Sequence, residues 1–60
     1  MKFEKSFHIL EKIKPDAKYH LQNGILWSNV TDIEIPLDSQ QAQQLIALGW
    51  YLEKFWFRVF

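Results

Sequence analysis

The dipeptide Asn23-Gly24 restricts the fold of this chain more than any other feature. The two central residues of a type I′ turn both need positive φ, and Asn-Gly adopts that conformation at the lowest cost. A two-residue loop at this point pairs Gln22 with Ile25, which fixes the register of the strands on both sides. The sequence therefore predicts an antiparallel β-hairpin in this part of the chain.

The two faces of the predicted hairpin differ because side chains alternate along each strand. The face expected to join the core carries Ala17, Tyr19, Leu21, Leu26 and Val30. The opposite face is mixed and carries Lys18, His20, Gln22, Ile25, Trp27 and Asn29. Trp27 and His20 are cross-strand neighbours on this mixed face, so both are candidate partner-binding residues.

Before the hairpin, apolar residues recur at helical spacing. The stripe that they form consists of Phe3, Phe7, Leu10 and Ile13. Lysine and glutamate fill the opposite side, as expected for a helix with one buried face. Lys14-Pro15 ends this predicted helix, because the residue before a proline avoids helical backbone angles.

After the hairpin, acidic and aliphatic residues alternate in residues 32–37. This alternation predicts a short third strand, with Ile33 and Ile35 pointing inward. Pro36 has no N–H to donate to a sheet, so we expect the strand to end there or to lie at an edge.

A second helix is predicted over about residues 39–48, with start and stop signals that agree. Asp38 is its expected N-cap, and Gln41 completes a capping box. Gly49 is the expected left-handed residue after the last turn. The outer side of this helix is polar without charge and carries Gln40, Gln41, Gln43 and Gln44. Uncharged side chains lose their hydration at lower cost than charged ones, so Gln40, Gln43 and Gln44 form a second candidate contact surface.

The final segment is rich in strand-forming aromatic residues. Phe55, Phe57 and Val59 alternate with Lys54, Trp56 and Arg58, so one face of the predicted strand is apolar. The other face would hold a tryptophan between two cations. The chain is therefore expected to form a single domain over residues 1–60 of the α+β class. Its predicted order is α-β-β-β-α-β, with a three- to four-stranded antiparallel sheet and two helices on one face.

Reactive side chains are few, which argues against an enzyme or a metal protein. Cysteine is absent, so neither disulfides nor thiolate zinc sites can form. His8 and His20 lie on different predicted elements, and no third ligand accompanies them. No serine or threonine stands in a nucleophile motif or near a histidine at useful spacing. We expect no catalysis, no metal and no cofactor, and the absence of a long apolar stretch predicts a cytoplasmic protein outside the membrane.

Binding is the class of function that remains. Net charge is zero, so the chain lacks the basic field of a non-specific nucleic-acid binder. Three tryptophans are more than one small core readily holds, and tryptophan, tyrosine and arginine are enriched at binding hot spots. The sheet face expected to bind a protein carries Trp27, His20, Lys54, Trp56 and Arg58. Two alternatives stay open: single-stranded RNA stacked on the same rings, and a homodimer formed through an edge strand.

The chain also resembles the short accessory proteins of phages and prophages. The resemblance rests on residues 13–19 (Ile-Lys-Pro-Asp-Ala-Lys-Tyr), then Asn23-Gly24, then Ile35-Pro36 before a glutamine-rich helix. Such proteins are often inhibitors of host machinery, anti-CRISPR proteins among them. The resemblance therefore implies a protein target, and it assigns no role to any single residue.

Overall fold

The computed structural model describes residues 2–59, without the side chains of residues 2–4. Its elements are α1 (Lys2–Ile13), β1 (Tyr19–Gln22), β2 (Ile25–Thr31), α2 (Gln40–Ala47), β3 (Trp50–Leu52) and β4 (Phe55–Val59). The strands form one antiparallel sheet in the order β1-β2-β4-β3. The predicted α+β class is confirmed, with two helices and a four-stranded antiparallel sheet. The order of elements is α-β-β-α-β-β, because the third strand lies after α2 and not before it.

The predicted hairpin is confirmed in its turn and in its register. Asn23 and Gly24 have φ of 54° and 76°, the positive values that a type I′ turn needs. Gln22 pairs with Ile25, and the register continues to Tyr19 opposite Ser28. A local signal of two residues thus fixes which side chains share a face over β1 and the first four residues of β2.

The core lies between the two helices and one face of the sheet, which we call the inner face. Its fully buried apolar residues are Leu10, Val30, Ile35, Ala42, Leu45, Trp50 and Trp56. Phe7 packs against this cluster, as its place in the predicted helical stripe requires. Phe3, the first residue of that stripe, has its side chain outside the described residues.

Hydrogen bonds hold α1 against the hairpin. The phenol of Tyr19 on β1 donates to the Glu11 carboxylate at 3.0 Å, and burial, with help from this partner, raises the Tyr19 pKa. At the end of α1, the Lys14 ammonium donates to the Asn29 carbonyl at 3.2 Å. The first bond joins α1 to β1, and the second joins the residue that follows α1 to β2.

The third strand predicted over residues 32–37 is wrong, because this segment forms turns. The Glu34 carboxylate accepts hydrogen bonds from the Thr31 backbone N–H and hydroxyl, both at 2.9 Å. The backbone N–H of Ile35 donates to the Thr31 carbonyl at 3.1 Å. These local bonds compete with a sheet ladder and close the chain on itself. As a result Ile35 is buried, whereas Ile33, also expected inward, is 85% exposed.

The second helix is confirmed, with a start one residue later than predicted. Ser39 and not Asp38 is the N-cap, and its hydroxyl accepts a hydrogen bond from the Ala42 backbone N–H at 3.1 Å. Gly49 follows the helix with φ of 94°, as expected for the residue that ends it. Arg58 on β4 donates from Nη1 to the carbonyl of Leu48, one of the carbonyls that the end of α2 leaves without a helical partner.

The last segment forms a hairpin, β3 and β4, and the predicted faces of β4 are reversed. Trp56 is fully buried on the inner face, where its indole N–H donates to the Ile35 carbonyl at 3.0 Å. Phe57 lies on the opposite face because it pairs with Trp27 of β2, and cross-strand partners share a face. Pairing with β2, a strand about thirty residues earlier, sets this orientation, which alternation within β4 cannot show.

Replacement of Ile35 and of Ile33 by alanine tests the corrected turn. We expect Ile35→Ala to lower the free energy of unfolding by about 2–5 kcal/mol, since it leaves a cavity in the core. Ile33→Ala should change it by less than about 0.5 kcal/mol, because the side chain is exposed. Denaturant unfolding measures both values. Equal losses of unfolding free energy for the two variants would contradict the turn and support the predicted strand, in which both side chains point inward.

The pH dependence of stability tests the bonds that close this turn. Hydrogen bonds from Thr31 and Lys14 lower the pKa of Glu34 below its ordinary value of 4.5, and the Lys14 ammonium lies 3.1 Å from the carboxylate. A carboxyl whose pKa is lowered on folding stabilises the fold above its unfolded pKa, and that contribution is lost as pH falls through the folded pKa. Glu34→Gln should therefore be less stable than the parent chain at neutral pH, and the difference should shrink below about pH 4.5. Unfolding curves at several pH values measure it; a difference independent of pH would contradict the assignment.

Candidate interaction surface

Four side chains form a continuous row across the face of the sheet that the helices leave open. His20 on β1 pairs with Trp27 on β2, which pairs with Phe57 on β4, which pairs with Tyr51 on β3. The rings of Trp27 and Phe57 have centroids 4.6 Å apart, and those of Tyr51 and Phe57 are 5.7 Å apart and stacked. We call His20, Trp27, Phe57 and Tyr51 the aromatic row. It contains one side chain from every strand.

Further apolar residues flank the aromatic row on both sides. Ile25 pairs with Val59 next to it, and Thr31 pairs with Phe55 beyond a bulge in β2. The side of the sheet that we call the outer face consists of His20, Gln22, Ile25, Trp27, Asn29, Thr31, Tyr51, Phe55, Phe57 and Val59. None of these strand residues is lysine, arginine, aspartate or glutamate. Lys18, just before β1, lies beside them, because its backbone is hydrogen-bonded to Asn29 and it lines the same pocket as Trp27 and His20.

The outer face is open in the part of the chain that the structure describes. The rings of Trp27, Phe55 and Phe57 are only partly buried, and they are absent from the residues that pack on the core. Tyr51 is 57% exposed, and Val59 is 52% exposed. A surface of hydrophobic and uncharged polar strand residues, with Lys18 at its edge, therefore meets solvent on this side of the sheet.

Two of the residues predicted to bind a partner are on the outer face, and two are not. Trp27 and His20 lie together there, as the hairpin register predicts. Trp56 and Arg58, expected on the same surface, point to the inner face. Trp56 has no exposed area, and Arg58 donates to the carbonyl of Leu48 at the end of α2. Neither side chain is available to a partner in this structure, so both predictions are corrected.

Lys54, the other predicted cation, lies in the turn between β3 and β4. Its ammonium is 5.9 Å from the centroid of the Phe55 ring, at the limit of a cation–π contact. The side chain is exposed at the rim of the outer face, so a partner covering Phe55 would also approach this charge.

The second predicted surface is exposed and lies on the helical side of the molecule. Gln40, Gln43 and Gln44 are all exposed on α2, away from the inward residues Ala42 and Leu45. Because α2 covers the inner face, these glutamines and the outer face lie on different sides of the protein. A single small partner therefore cannot use both surfaces at once.

The sequence reasoning missed Phe57 and Tyr51, which complete the aromatic row. Alternation within the final segment predicts that Phe57 lies on the apolar face, and it gives Tyr51 no position because it does not show the break between β3 and β4. The pairing of β4 with β2 is the signal that would have found them, since it joins Phe57 to Trp27. The same pairing places β4 inside the sheet, so the last strand is not the edge through which a copy could pair; the edges are β1 and β3.

A shallow pocket beside Trp27 and His20 is lined also by Lys18, Tyr19, Ser28 and Asn29. Its volume of about 150 Å³ is below the ~300 Å³ typical of small-molecule sites.

Among residues 2–59, no three His, Cys, Asp or Glu side chains come together where they could hold a metal ion. Within the same residues, neither helix has the length and apolar character needed to cross a bilayer.

Comparison with known proteins finds no matching family, no matching curated protein and no matching solved structure.

Fluorescence quenching tests which tryptophan belongs to the surface. Trp50 and Trp56 are 1% and 0% exposed, whereas Trp27 is only partly buried. Iodide, which does not enter a protein core, should quench the emission of Trp27 alone. We therefore expect Trp27→Phe to abolish most iodide quenching and Trp56→Phe to leave it unchanged. Loss of quenching in Trp56→Phe would show that Trp56 is exposed and contradict its place in the core.

Proposed function

We propose that this protein is a non-enzymatic protein-interaction module that binds its partner through the outer face of the sheet. One observation carries the proposal: six of the ten strand residues on the face turned to solvent are hydrophobic, none of the ten is Lys, Arg, Asp or Glu, and Lys18 lies only at the edge of the face. In antiparallel sheets with one covered face, the solvent-facing side chains are ordinarily polar. Large exposed apolar patches on soluble proteins mark interaction sites.

The chemistry of the aromatic row supports binding of a protein. Tryptophan and tyrosine are enriched at hot spots because a rigid ring buries much area with little loss of conformational freedom. Trp27, Phe57 and Tyr51 are also held by three hydrogen-bonded strands and by contacts with one another. A partner would thus meet a surface that is already ordered, so little entropy is lost on binding.

Single-stranded nucleic acid is the second candidate, because three rings on neighbouring strands can stack bases. Such sites combine stacking rings with cations that follow the phosphate backbone. Here Arg58 points to the inner face, and the outward residues of the described strands include no lysine or arginine. Lys18 and Lys54 lie only at the margins. This charge distribution favours a protein over a nucleic acid.

The resemblance to phage accessory proteins extends the proposal to a class of partner. An inhibitor of a host complex, such as the CRISPR machinery, needs a stable surface and no chemistry of its own. The outer face is suited to that role because it can cover a functional surface of another protein. In this proposal the protein acts in the cytoplasm.

Partner capture with matched variants tests the proposed surface. Tyr51→Ser and Trp27→Ser should each reduce the retained partner about tenfold or more, the effect of losing a hot-spot side chain. Ile46→Ser is the control, since Ile46 is a comparably exposed apolar residue, at 45%, on α2. Tagged chains incubated with cytoplasmic extract, followed by quantitative mass spectrometry, give the ratios.

A second pair of variants separates the two candidate surfaces. Gln43→Ala and Gln44→Ala should retain the partner as well as the parent chain does. If they lose it and the Tyr51 and Trp27 variants keep it, the partner binds the glutamine side of α2 and the proposal is wrong. Fluorescence titration with oligonucleotides at two salt concentrations addresses the nucleic-acid alternative, for which quenching that weakens with salt is the expected sign.

A further inference from the structure

The tip of the β1–β2 hairpin has a chemistry of its own, apart from any partner of the outer face. We infer that Asn23 is a site of spontaneous deamidation, that opening of the hairpin sets its rate, and that the isoaspartate product destroys the register of the aromatic row. Two features carry this inference, and neither involves the proposed function. One is the reactivity of the dipeptide Asn23-Gly24, and the other is the geometry of the turn that it forms.

The reaction joins the backbone nitrogen of Gly24 to Cγ of the Asn23 side chain. A succinimide ring forms, the bond between Cγ and Nδ2 breaks, and Nδ2 leaves as ammonia with the proton of the Gly24 N–H. Water then opens the ring. Addition to the side-chain carbonyl gives aspartate at residue 23, and addition to the main-chain carbonyl gives isoaspartate, in which the chain runs through Cβ and Cγ.

Both reacting groups are accessible at the hairpin tip. Asn23 and Gly24 are exposed, and beyond its chain neighbours a Cβ at Gly24 would meet no atom within 4 Å. Among residues 2–59, the Asn23 amide makes no hydrogen bond, and the Gly24 N–H donates to no backbone carbonyl. Because glycine has no side chain, nothing next to the attacking nitrogen hinders its approach.

Asn29, the other asparagine of the chain, lacks these properties. Val30 follows it, and a side chain branched at Cβ crowds the nitrogen that would attack. The Oδ1 atom of Asn29 accepts a hydrogen bond from the Lys18 backbone N–H at 2.8 Å, and Asn29 is partly buried within β2. The chain therefore contains a matched asparagine at which we expect no reaction.

The native turn holds the reacting atoms apart. In a type I′ turn the ψ of the first central residue is about 30°, which places the Gly24 nitrogen beside the Asn23 nitrogen. Ring closure needs a rotation about the Cα–C bond of Asn23 until the Gly24 nitrogen lies beside Cβ. That rotation breaks the turn and the pairing of Gln22 with Ile25. Deamidation therefore proceeds through opened hairpins, and its rate measures how often the hairpin opens.

The two products differ in their effect on the sheet. Asp-Gly also favours a type I′ turn, so aspartate at residue 23 keeps the hairpin and adds one negative charge. Isoaspartate inserts a carbon atom into the main chain, and a loop of that length no longer matches the two-residue turn that sets the register. His20 then loses its place opposite Trp27. The reaction at the turn therefore limits the lifetime of the aromatic row.

Peptide mapping by mass spectrometry tests the site and the role of opening. The full chain is incubated at neutral pH, below its melting temperature, with and without guanidinium chloride. We expect aspartate and isoaspartate at Asn23 and an intact Asn29, with conversion at least about tenfold faster in the denaturant, where the turn is absent. Asn23→Gly is the matched control, since Gly-Gly also forms type I′ turns and has no amide to lose.

Two results of this mapping would overturn the inference. If Asn23 stays intact in the denaturant, or if Asn29 reacts as fast as Asn23, the turn is not the site. If Asn23 reacts at the same rate in both solutions, opening of the hairpin does not set the rate.

Nuclear magnetic resonance tests the effect on the register. Leu21 lies opposite Leu26 across the hairpin, so a nuclear Overhauser contact between their α protons reports the pairing. We expect this contact in the parent chain and in Asn23→Asp, and its loss in the purified isoaspartate form. An isoaspartate form that keeps the contact would contradict the inferred loss of register.

Discussion

The pairing of β2 with β4 around Trp56 is the contact on which the rest of the structure depends. Three residues of β2 lie between its paired residues Trp27 and Thr31, whereas Trp56 alone lies between their partners on β4. The Ser28 hydroxyl donates to the Trp56 carbonyl at 2.8 Å and accepts from the Val30 N–H at 3.2 Å, so the bulge keeps its hydrogen bonds. Bulges bend a strand and increase its twist. Opposite the bulge, the Trp56 ring lies in the core and its N–H donates to the Ile35 carbonyl.

This pairing also decides which rings become surface. A chain of 60 residues has a small core, and Trp50 and Trp56 are its two largest side chains. With these two rings inside, alternation places Tyr51 and Phe57 outside, in register with Trp27. The aromatic row is thus the consequence of a core built from tryptophans on alternate positions of β3 and β4. The exposed rings cost solubility, and a partner that covers them removes that cost.

Features with a local cause were predictable, and those with a distant cause were not. The turn at Asn23-Gly24 and the end of α2 at Gly49 follow from backbone angles that few residues adopt, so the sequence shows them directly. The alternation in residues 32–37 is compatible with a strand, and only the hydrogen bonds of Glu34 to Thr31 make it a turn. Which face of β4 points inward depends on a partner strand about thirty residues earlier. The shared face of Trp27 and His20 therefore follows from the hairpin, whereas the positions of Phe57 and Tyr51 beside them require the sheet.

The inward position of Arg58 bears on the choice of partner. Arg58 lies two residues after Trp56 on the same strand, so it points to the same inner face. There the guanidinium contacts the end of α2, which is the negative end of the helix dipole. A Cβ at Gly49 would lie 2.6 Å from Nη1, so the absence of a side chain there makes room for the contact. Arg58, the cation predicted to lie beside the stacking rings, therefore contacts the end of α2. Without it the outer face keeps its rings with only Lys18 and Lys54 at its margins, and this scarcity of cations is the reason why we propose a protein rather than a phosphate-bearing partner.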